Sequence, residues 1–417
     1  MVRRALRSIA IDTWALRQSR PFRRLWIGQM VSLVGRQVTT VAVPFQVYML
    51  TRSPLAVGAI GLAQAIPLIT VSLASGAITD RVDRRSILVV TQLGLAATSA
   101  LLALGARLGN PPLAAIYAVV AVSSGFAAVD APTRTAIIPN LVPRARLTGA
   151  LALNMAVFET TLVAGPAIGG LVIAHAGLTL AYLIDVATFA ASLTAVIMLP
   201  RQRPHAEHHD PPLLAIRRGL QYIRKQPVIL GGFAMDLSAM IFGMPRALFP
   251  VLAATTLHAG AQGLGLLYAA PGAGALVATL MTGWIGRASR LGRIIIATIV
   301  IWGLAIVGFG FATALWLALL LLVIAGAADS FSAVCRNTIM QTLVPDELRG
   351  RLTSVYFMVV VGGPYLGDLE AGAVASAWTA QISIVSGGVL SLIGLGAAAF
   401  AFPAVWAYGH RSKLAAT

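Results

Sequence analysis

The chain has 417 residues, of which 58% are hydrophobic and 11% charged, with a mean hydropathy of +0.84 and a formal net charge of +17. A soluble domain must face water with much of its surface, so this composition excludes one and indicates a chain that lies in lipid. The positive charge alone would also suit a nucleic-acid binder, but the positions of the basic residues argue against that function.

Apolar stretches that could cross a bilayer as helices follow one another along the chain. A membrane helix needs about 20 mainly apolar residues. Twelve windows of this kind are present, and Gly, Ala and Pro are frequent in them, as in closely packed membrane helices. The windows are 25–50, 54–79, 87–106, 113–136, 148–174, 178–199, 227–252, 259–284, 293–313, 315–337, 352–376 and 382–406. The sequence therefore predicts an all-α membrane protein with twelve transmembrane helices.

Polar stretches divide the chain into five parts. The longest polar interruption falls after the sixth window, and its second part, LLAIRRGLQYIRKQ at 213–226, has the pattern of an amphipathic helix on a membrane surface. The predicted parts are a basic cytoplasmic arm at 1–24, a six-helix half at 25–199, a cytoplasmic linker at 200–226, a second six-helix half at 227–406 and a cytoplasmic tail at 407–417.

The basic residues are distributed unequally between the two predicted sides of the membrane. Of the 31 Lys and Arg, 25 lie in the arm, in the tail, in connections that follow an even-numbered window or, for Arg293, directly after such a connection, and only Arg52 and Arg107 follow an odd-numbered window. An excess of Lys and Arg marks the cytoplasmic loops of membrane proteins. We therefore expect both termini in the cytoplasm and a multi-pass protein of the cytoplasmic (inner) membrane.

The two six-helix halves resemble each other in sequence. RTAIIPNLVPRARL at 134–147 aligns with RNTIMQTLVPDELR at 336–349 at an offset of 202 residues. At an offset of 207 residues, Gly58 aligns with Gly265, and Gly76 with Gly283. Duplicated halves around a central cavity are typical of a large class of secondary transporters, so the sequence predicts two pseudo-symmetric halves.

The stretch GAITDRVDRR at 76–85 contains most of the charge between the second and third windows. It matches the G-x-x-x-D-R-x-x-R-R signature of the major facilitator superfamily, which the whole chain resembles in its twelve windows and its repeat. The resemblance implies that an acid of this loop caps a helix and that the charges lock the two halves together at the cytoplasmic face. The latch residues would be Gly76, Asp80, Arg81, Asp83, Arg84 and Arg85.

A second signature lies in the fifth window. Gly165, Pro166, Gly169 and Gly170 resemble the G-P-x-x-G-G antiporter motif of drug-efflux members, which implies export, although small residues at this spacing also serve ordinary helix packing. Further stretches resemble the enterobactin-exporter branch, which includes siderophore exporters and drug pumps. They are RLWIGQMVSLVG, VPFQVYMLTRSPLAVG, DAPTRTAIIPNLVP, DLSAMIFGMPRALFP and GPYLGDLEAGAVA.

Acidic residues inside the windows are the candidates for proton coupling. A charge in hydrocarbon is costly, so such residues usually face a cavity or a partner, and a carboxylate that can become neutral can carry a proton. Asp236 is the first candidate because no basic residue lies one helical turn away, and Asp130 the second because Arg134 could pair with it. Glu159 and Asp329 are further candidates, and Asp185, Asp368 and Glu370 are weaker ones.

The family resemblance implies that the first, fourth, seventh and tenth windows line the central cavity. Arg36 lies near the middle of the first window, where its side chain could not easily reach the membrane surface, so we expect it to face the cavity. For Arg134 and Arg336 a structural role is an equally good interpretation. The candidates for substrate contact are Arg36, Gln37, Gln46, Gln64, Arg134, Met240, Arg246 and Tyr356.

Other chemistries find no support in the sequence. There is no phosphate-binding G-x-x-x-x-G-K-[ST] loop, no nucleophile–base constellation and no expected cofactor, and HAEHHD at 205–210 has the composition of a solvated linker rather than a metal site. We therefore expect a monomeric secondary transporter, not an enzyme, whose partners are membrane lipids, protons and a small molecule, with no nucleic acid. Its predicted activity is proton-coupled export of a siderophore-like molecule by alternating access. The alternatives are a multidrug antiporter for lipophilic cations and a lipid flippase.

Overall fold

The computed structural model describes residues 12–79, 82–201, 221–288, 290–344 and 346–408, with side chains described for all of these except 73–79, 286–287 and 346–361. This part of the chain contains α-helices, three short 3-10 helices and no β-strand. The helices are α1 (Trp14–Gln18), α2 (Arg20–Thr51), α3 (Pro54–Thr79), α4 (Arg84–Leu108), α5 (Leu113–Leu141), α6 (Leu147–Ile197), α7 (Pro227–Phe242), α8 (Phe249–Thr255), α9 (Gly260–Met281), α10 (Leu291–Gly310), α11 (Leu315–Leu343), α12 (Asp346–Ala377), α13 (Ala380–Ala401) and α14 (Pro403–Ala407).

The prediction of an all-α membrane protein is confirmed, and the count of twelve transmembrane helices stays a prediction. Among the described residues, nine helical segments are long and apolar enough to cross a membrane. One of them, Arg144–Ile197, contains both the fifth and the sixth predicted windows. The predicted first and eleventh windows lie in α2 and α12, helices of 32 residues that are not among the nine.

Glycine and proline residues mark two breaks in the helices, one between the fifth and sixth predicted windows and one inside the seventh. In α6 the backbone of Gly177 has φ 77° and ψ 177°, a conformation open almost only to glycine, so α6 consists of a first arm at 147–176 and a second arm at 178–197. The seventh window, predicted as one helix over 227–252, ends as α7 at Phe242. It resumes as α8 after Gly243 and a 3-10 turn at Arg246–Leu248.

We divide the described helices at the predicted linker into two sets, which we call the N-half (20–197) and the C-half (221–408). In the N-half α2 and α4 pack along α6, and α3 packs along α5. In the C-half α9 and α10 pack along α11, while α13 packs against α7 and α10. The halves meet where α3 packs along α12 and where the first arm of α6 packs along α9.

Hydrogen bonds define two faces of the bundle. On one face, which we call the basic face, Arg85 Nη2 donates to the Ile197 carbonyl at 2.6 Å and Tyr222 Oη donates to the Leu343 carbonyl at 2.9 Å. At the other end of the helices, the opposite face, Leu55 N donates to Ser376 Oγ at 2.9 Å and so joins the two halves. The basic face is the one that the charge distribution predicts to be cytoplasmic.

The end of the predicted basic arm is a packed part of the N-half. The N-cap residue Ser19 accepts a hydrogen bond from Phe22 N at 3.3 Å and donates to the Leu141 carbonyl at 2.8 Å, so α2 begins five residues before the predicted first window. Ala15 and Phe22 are buried against residues of α5 and α6. In front of α1, Asp12 Oδ2 pairs with Arg146 Nη1 at 3.0 Å.

The linker between the halves lies largely outside the described residues, because 202–220 are not described, and these include residues 213–220 of the predicted amphipathic helix. The described end of the linker is helical at 221–224, and Ile223 is buried against Ile229 and Val344. At the end of the last half, Phe402 ends α13 and the short helix α14 follows, with Val405 fully buried. The twelfth predicted window, 382–406, is therefore also interrupted.

Candidate transport site

In the N-half, Asp130 and Arg134 form the pair that their spacing predicts. Both lie on α5, and Arg134 Nε donates to Asp130 Oδ2 at 2.7 Å. From α4, Thr91 Oγ1 and Gln92 Nε2 each donate to Asp130 Oδ1 at 2.8 Å. Arg134 Nη2 donates to Ser192 Oγ in the second arm of α6 at 3.0 Å. Three helices of the N-half are therefore joined by one buried polar network.

The corresponding pair in the C-half is built differently. Position 332, which matches Asp130 at the repeat offset of 202, is Ser332, and Arg336 Nη1 donates to its Oγ at 2.7 Å. The acid comes instead from α7, because Asp236 Oδ1 lies 2.8 Å from Arg336 Nη1. A second acid, Asp329 on α11, lies 3.6 Å from Arg336 Nη2.

The buried carboxylate of the Asp236–Arg336–Asp329 cluster accepts fewer hydrogen bonds than the buried carboxylate of the N-half network. The side chain of Asp236 is 1% exposed, yet among the described residues neither of its carboxylate oxygens meets a donor in hydrogen-bond geometry. The side chain of Asp329 is 36% exposed and interacts electrostatically with Glu159 in the first arm of α6. The cluster therefore connects the interior of the C-half with an acid of the other half.

The pair between Asp236 and Arg336 shows that the reason for ranking Asp236 first among the candidate proton carriers is wrong. The sequence shows no basic residue one turn away on the same helix, which predicts a carboxylate without a nearby cation. The structure supplies Arg336 from α11, because α7 and α11 are neighbours in the bundle although their residues are far apart in the chain. Asp236 is thus a paired acid.

Two of the three weaker acidic candidates, Asp185 and Asp368, have hydrogen-bond or ion-pair partners. Asp185 in the second arm of α6 is 1% exposed, and its Oδ2 accepts hydrogen bonds at 2.7 Å from both Thr39 Oγ1 and Ser99 Oγ. Near the opposite face, Asp368 Oδ2 lies 3.2 Å from Arg246 Nη2. Each of these carboxylates therefore fastens neighbouring helices to one another.

The predicted substrate-contact residues fall into two groups. Arg36 is exposed, and Gln37 and Gln64 are partly exposed. Gln46, in contrast, is 4% exposed and accepts a hydrogen bond from Tyr182 Oη at 2.7 Å, so it belongs to the N-half core rather than to a cavity wall.

The remaining candidates for substrate contact are mostly engaged in packing or pairing. Met240 is 4% exposed and packs against Gly363, and Arg134 is buried in the N-half network. Arg246 is held by Asp368, and the side chain of Tyr356 lies outside the described residues. Met240 and Arg134 are therefore buried, whereas the side chain of Arg246 is partly exposed.

Asp83 and Arg84 of the predicted latch make hydrogen bonds to residues of the N-half. Asp83 caps α4, because its side chain accepts from Arg85 N at 3.4 Å and from Ser86 Oγ at 3.2 Å, as the resemblance implies. Arg84 Nη1 donates to the Ala136 carbonyl at 2.8 Å. Locking of the two halves by this loop stays a prediction, since Asp80, Arg81 and the local packing of Gly76 lie outside what the structure describes.

The predicted antiporter motif packs against both halves. Gly165 faces Gln37 of α2 and Gly169 faces Val38, within the N-half. Gly170 faces the C-half, where an added Cβ would lie 2.6 Å from the Ala261 carbonyl oxygen and 2.8 Å from Gly265 Cα. Only glycine permits backbones to approach this closely.

The contact between Gly170 and Gly265 has a counterpart related by the internal repeat. Gly372 follows Gly170 by 202 residues, and Gly265 aligns with Gly58. A Cβ on Gly372 would lie 3.0 Å from Gly58 Cα and 2.7 Å from the Pro54 carbonyl oxygen. We call these two contacts the glycine contacts. They hold the halves together near the opposite face.

Sequence reasoning missed the hydroxyl and amide partners of the ion pairs. Thr91, Gln92 and Ser192 have no signature of their own in the sequence. Ser332 could have been found, because the repeat alignment places a serine where the N-half has Asp130. That replacement implies that Arg336 needs an acid from another helix.

The chain matches the family described as transmembrane secretion effector over residues 11–411. The chain belongs to this family of the major facilitator superfamily. It is 28% identical over 380 residues to the enterobactin exporter of Citrobacter koseri, covering 90% of each chain. It is therefore a multi-pass membrane transporter of small molecules rather than an enzyme.

Solved structures show the same fold at low sequence identity. A POT family transporter in complex with 5-aminolevulinic acid has a TM-score of 0.75 and 11% identity, with 93% of this chain and 97% of that one covered. A bacterial homologue of the iron transporter ferroportin in an inward-facing state has a TM-score of 0.71 and 17% identity, with 93% and 99% covered. At these identities the likeness shows the fold alone.

Proposed function

We propose that this protein exports a siderophore-like small molecule across the cytoplasmic membrane in exchange for protons, by alternating access. The observation that supports this proposal best is the Asp236–Arg336–Asp329 cluster. With both acids ionised, the three side chains have a net charge of −1, and one proton neutralises it. An acid buried beside a single arginine can exchange partners when the helices around it move.

The position of the contacts between the two halves supports alternating access. The glycine contacts close the space between the halves near the opposite face, through backbone rather than through long side chains. With both termini in the cytoplasm, as the basic residues predict, this is the external face. We infer that the structure represents a state closed to the outside and that transport separates the two glycine contacts.

The choice of cargo rests on Arg36 and on the relatives. Arg36 is exposed within α2, where a positive charge could bind an acidic molecule such as a catecholate. The relatives named enterobactin exporters support the siderophore class over nearly the whole chain.

A second cargo class has an observation of its own. Asp329 is 36% exposed and Glu159 lies near enough to interact with it, so two acids from different halves face the same region. Acids that bind either a proton or a cation provide the exchange that a drug–proton antiporter needs. We therefore keep a lipophilic cation as the alternative cargo, and a lipid as a third.

Reconstitution in liposomes with an internal pH dye tests the proposal. A proton gradient is imposed, and a catecholate siderophore and a lipophilic cationic dye are added in separate experiments. Proton flux that requires the siderophore supports the main proposal, and flux that requires the cation supports the alternative. If neither molecule moves protons while either is still transported, proton coupling is wrong; lipid movement between leaflets without soluble cargo would favour the flippase.

A further inference from the structure

The C-half contains a crevice that the transport proposal does not use. It lies among the ends of α7, α10, α11 and α14 at the basic face, and its lining includes Ile229, Gly232, Ile295, Arg336, Met340 and Val405. Apart from Arg336 these lining side chains are apolar. The crevice is narrow and lies inside one half, away from the surface where the halves meet.

Gly232 leaves open space in the wall of this crevice. It is buried, yet an added Cβ would have no heavy atom within 4 Å in the described part of the chain. The neighbouring Gly231 is packed tightly, because its Cβ would lie 2.6 Å from Phe402 Cβ. The space beside Gly232 is therefore a local opening and not a general looseness of α7.

The crevice leads towards the buried ion pair. Ile229, Gly232 and Asp236 follow one another at helical spacing on one face of α7, so the acid lies one turn deeper than the glycine. Arg336, which is 2.8 Å from Asp236, itself lines the crevice. The charged groups that act on Asp236 from the neighbouring helix are Arg336 and Asp329.

We propose that this crevice is the route by which protons pass between the basic face and Asp236, separate from the path of the cargo. Water that enters from the basic face finds polar partners at Arg336 and Asp236, and an internal water needs such partners. The narrow apolar walls admit water and a small thiol reagent, and they exclude a cargo as large as a siderophore. Proton and cargo would then reach the transporter through different openings, so bound cargo need not block proton release.

This inference rests on the proposed proton coupling, and site-directed labelling separates the two. Gly232→Cys is made in a Cys335→Ser background, since Cys335 is the one cysteine of the chain. A charged, membrane-impermeant thiol reagent is applied from the basic face. We expect labelling that saturating cargo does not slow, and a loss of proton flux of at least ~10-fold that a reductant restores.

The matched control is Gly396→Cys, at another glycine whose Cβ meets nothing within 4 Å but which lies on the exposed side of α13. A charged reagent does not reach an exposed position of a membrane-spanning helix in the bilayer, so this variant is labelled in detergent before reconstitution, and its labelling should leave flux unchanged. Because the same folded sample is measured before labelling, after labelling and after reduction, misfolding cannot imitate the result. Failure of the reagent to reach Gly232→Cys, or labelling without loss of flux, would overturn the proton route.

Asp236→Asn, measured in parallel, reports on the proposed function itself. If it abolishes proton-coupled transport while labelled Gly232→Cys retains it, the acid is right and the crevice is wrong. If Asp236→Asn keeps normal proton coupling, Asp236 is not the proton site, and the proposed route to Asp236 is wrong as well.

Discussion

The two halves of this transporter contain equivalent arginines in unlike surroundings. Arg134 pairs with an acid on its own helix, and hydroxyl and amide donors complete that pair. Arg336 pairs with an acid from another helix, and that acid has no further donor among the described residues. A pair within one helix survives any movement of helices, whereas a pair between helices can break. From this comparison we propose that the N-half network is structural and that the C-half cluster is the part that switches.

The largest expected effect comes from removing the charge of the switching acid. Asp236→Asn should abolish the proton dependence of transport, because the amide at position 236 does not bind and release a proton. Arg336 would then have a neutral side chain at position 236 and Asp329 as its acidic partner in the cluster. The measurement is cargo-driven proton flux in liposomes, with cargo–cargo exchange at equal pH as a test of folding and binding. Asp130→Asn is the matched control, and it should retain proton coupling. Loss of coupling in both variants, or only in Asp130→Asn, would reverse our assignment.

Breaking the structural pair should cost stability instead. Arg134→Gln leaves the buried Asp130 without its cation, and losing one partner of a buried pair typically costs about 3–5 kcal/mol. Thermal unfolding in detergent should show this loss. The double variant Asp130→Asn/Arg134→Gln, which removes both charges, should recover much of it. A single variant as stable as the wild type would show that the N-half network is not structural.

A substitution at one of the glycine contacts should have an effect of intermediate size on the state closed at the opposite face. Gly170→Ala places a Cβ against backbone atoms of α9 at 2.6 and 2.8 Å, an overpacking that typically costs about 1–3 kcal/mol. The backbones must separate, so the state closed at the opposite face should be less populated. Spin labels on the exposed residues Leu180 and Phe311, one in each half, should report longer distances. Gly396→Ala, in open space, should leave the distances unchanged; equal distances in Gly170→Ala would contradict the assigned closure.

The smallest effect on stability is expected from a substitution of Asp12, at the surface of the N-half. The backbone N–H of Trp14 lowers the pKa of Asp12 below its ordinary 3.8, opposed by partial burial and assisted by Arg146. Because the folded state favours the ionised form, the stabilisation is complete above 3.8 and disappears as pH falls through the lowered pKa. The difference in melting temperature between the wild type and Asp12→Asn should therefore be small at neutral pH and vanish in strong acid. A difference that grows with acidity would have the wrong sign.

Local sequence patterns predicted the parts of the site that depend on helical spacing. The Asp130–Arg134 pair follows from a spacing of four residues, and the cap of α4 follows from Asp83 in front of a helix. The buried position of Gln46 could not be predicted in this way, because it depends on Tyr182 from another helix. The break at Gly243 was also missed, since membrane helices tolerate glycine and proline in many positions.

The sequence by itself determined the membrane class, the internal repeat and the family, because hydropathy, a constant offset and short motifs are properties of neighbouring positions. It also identified most of the acids and arginines that matter. Only the tertiary structure decided which of them meet. Asp236 and Arg336 are distant along the chain, and the packing of α7 beside α11 makes them partners. In a membrane core, where few other groups can neutralise a charge, that choice of partner decides whether an acid is fixed or free to exchange its proton.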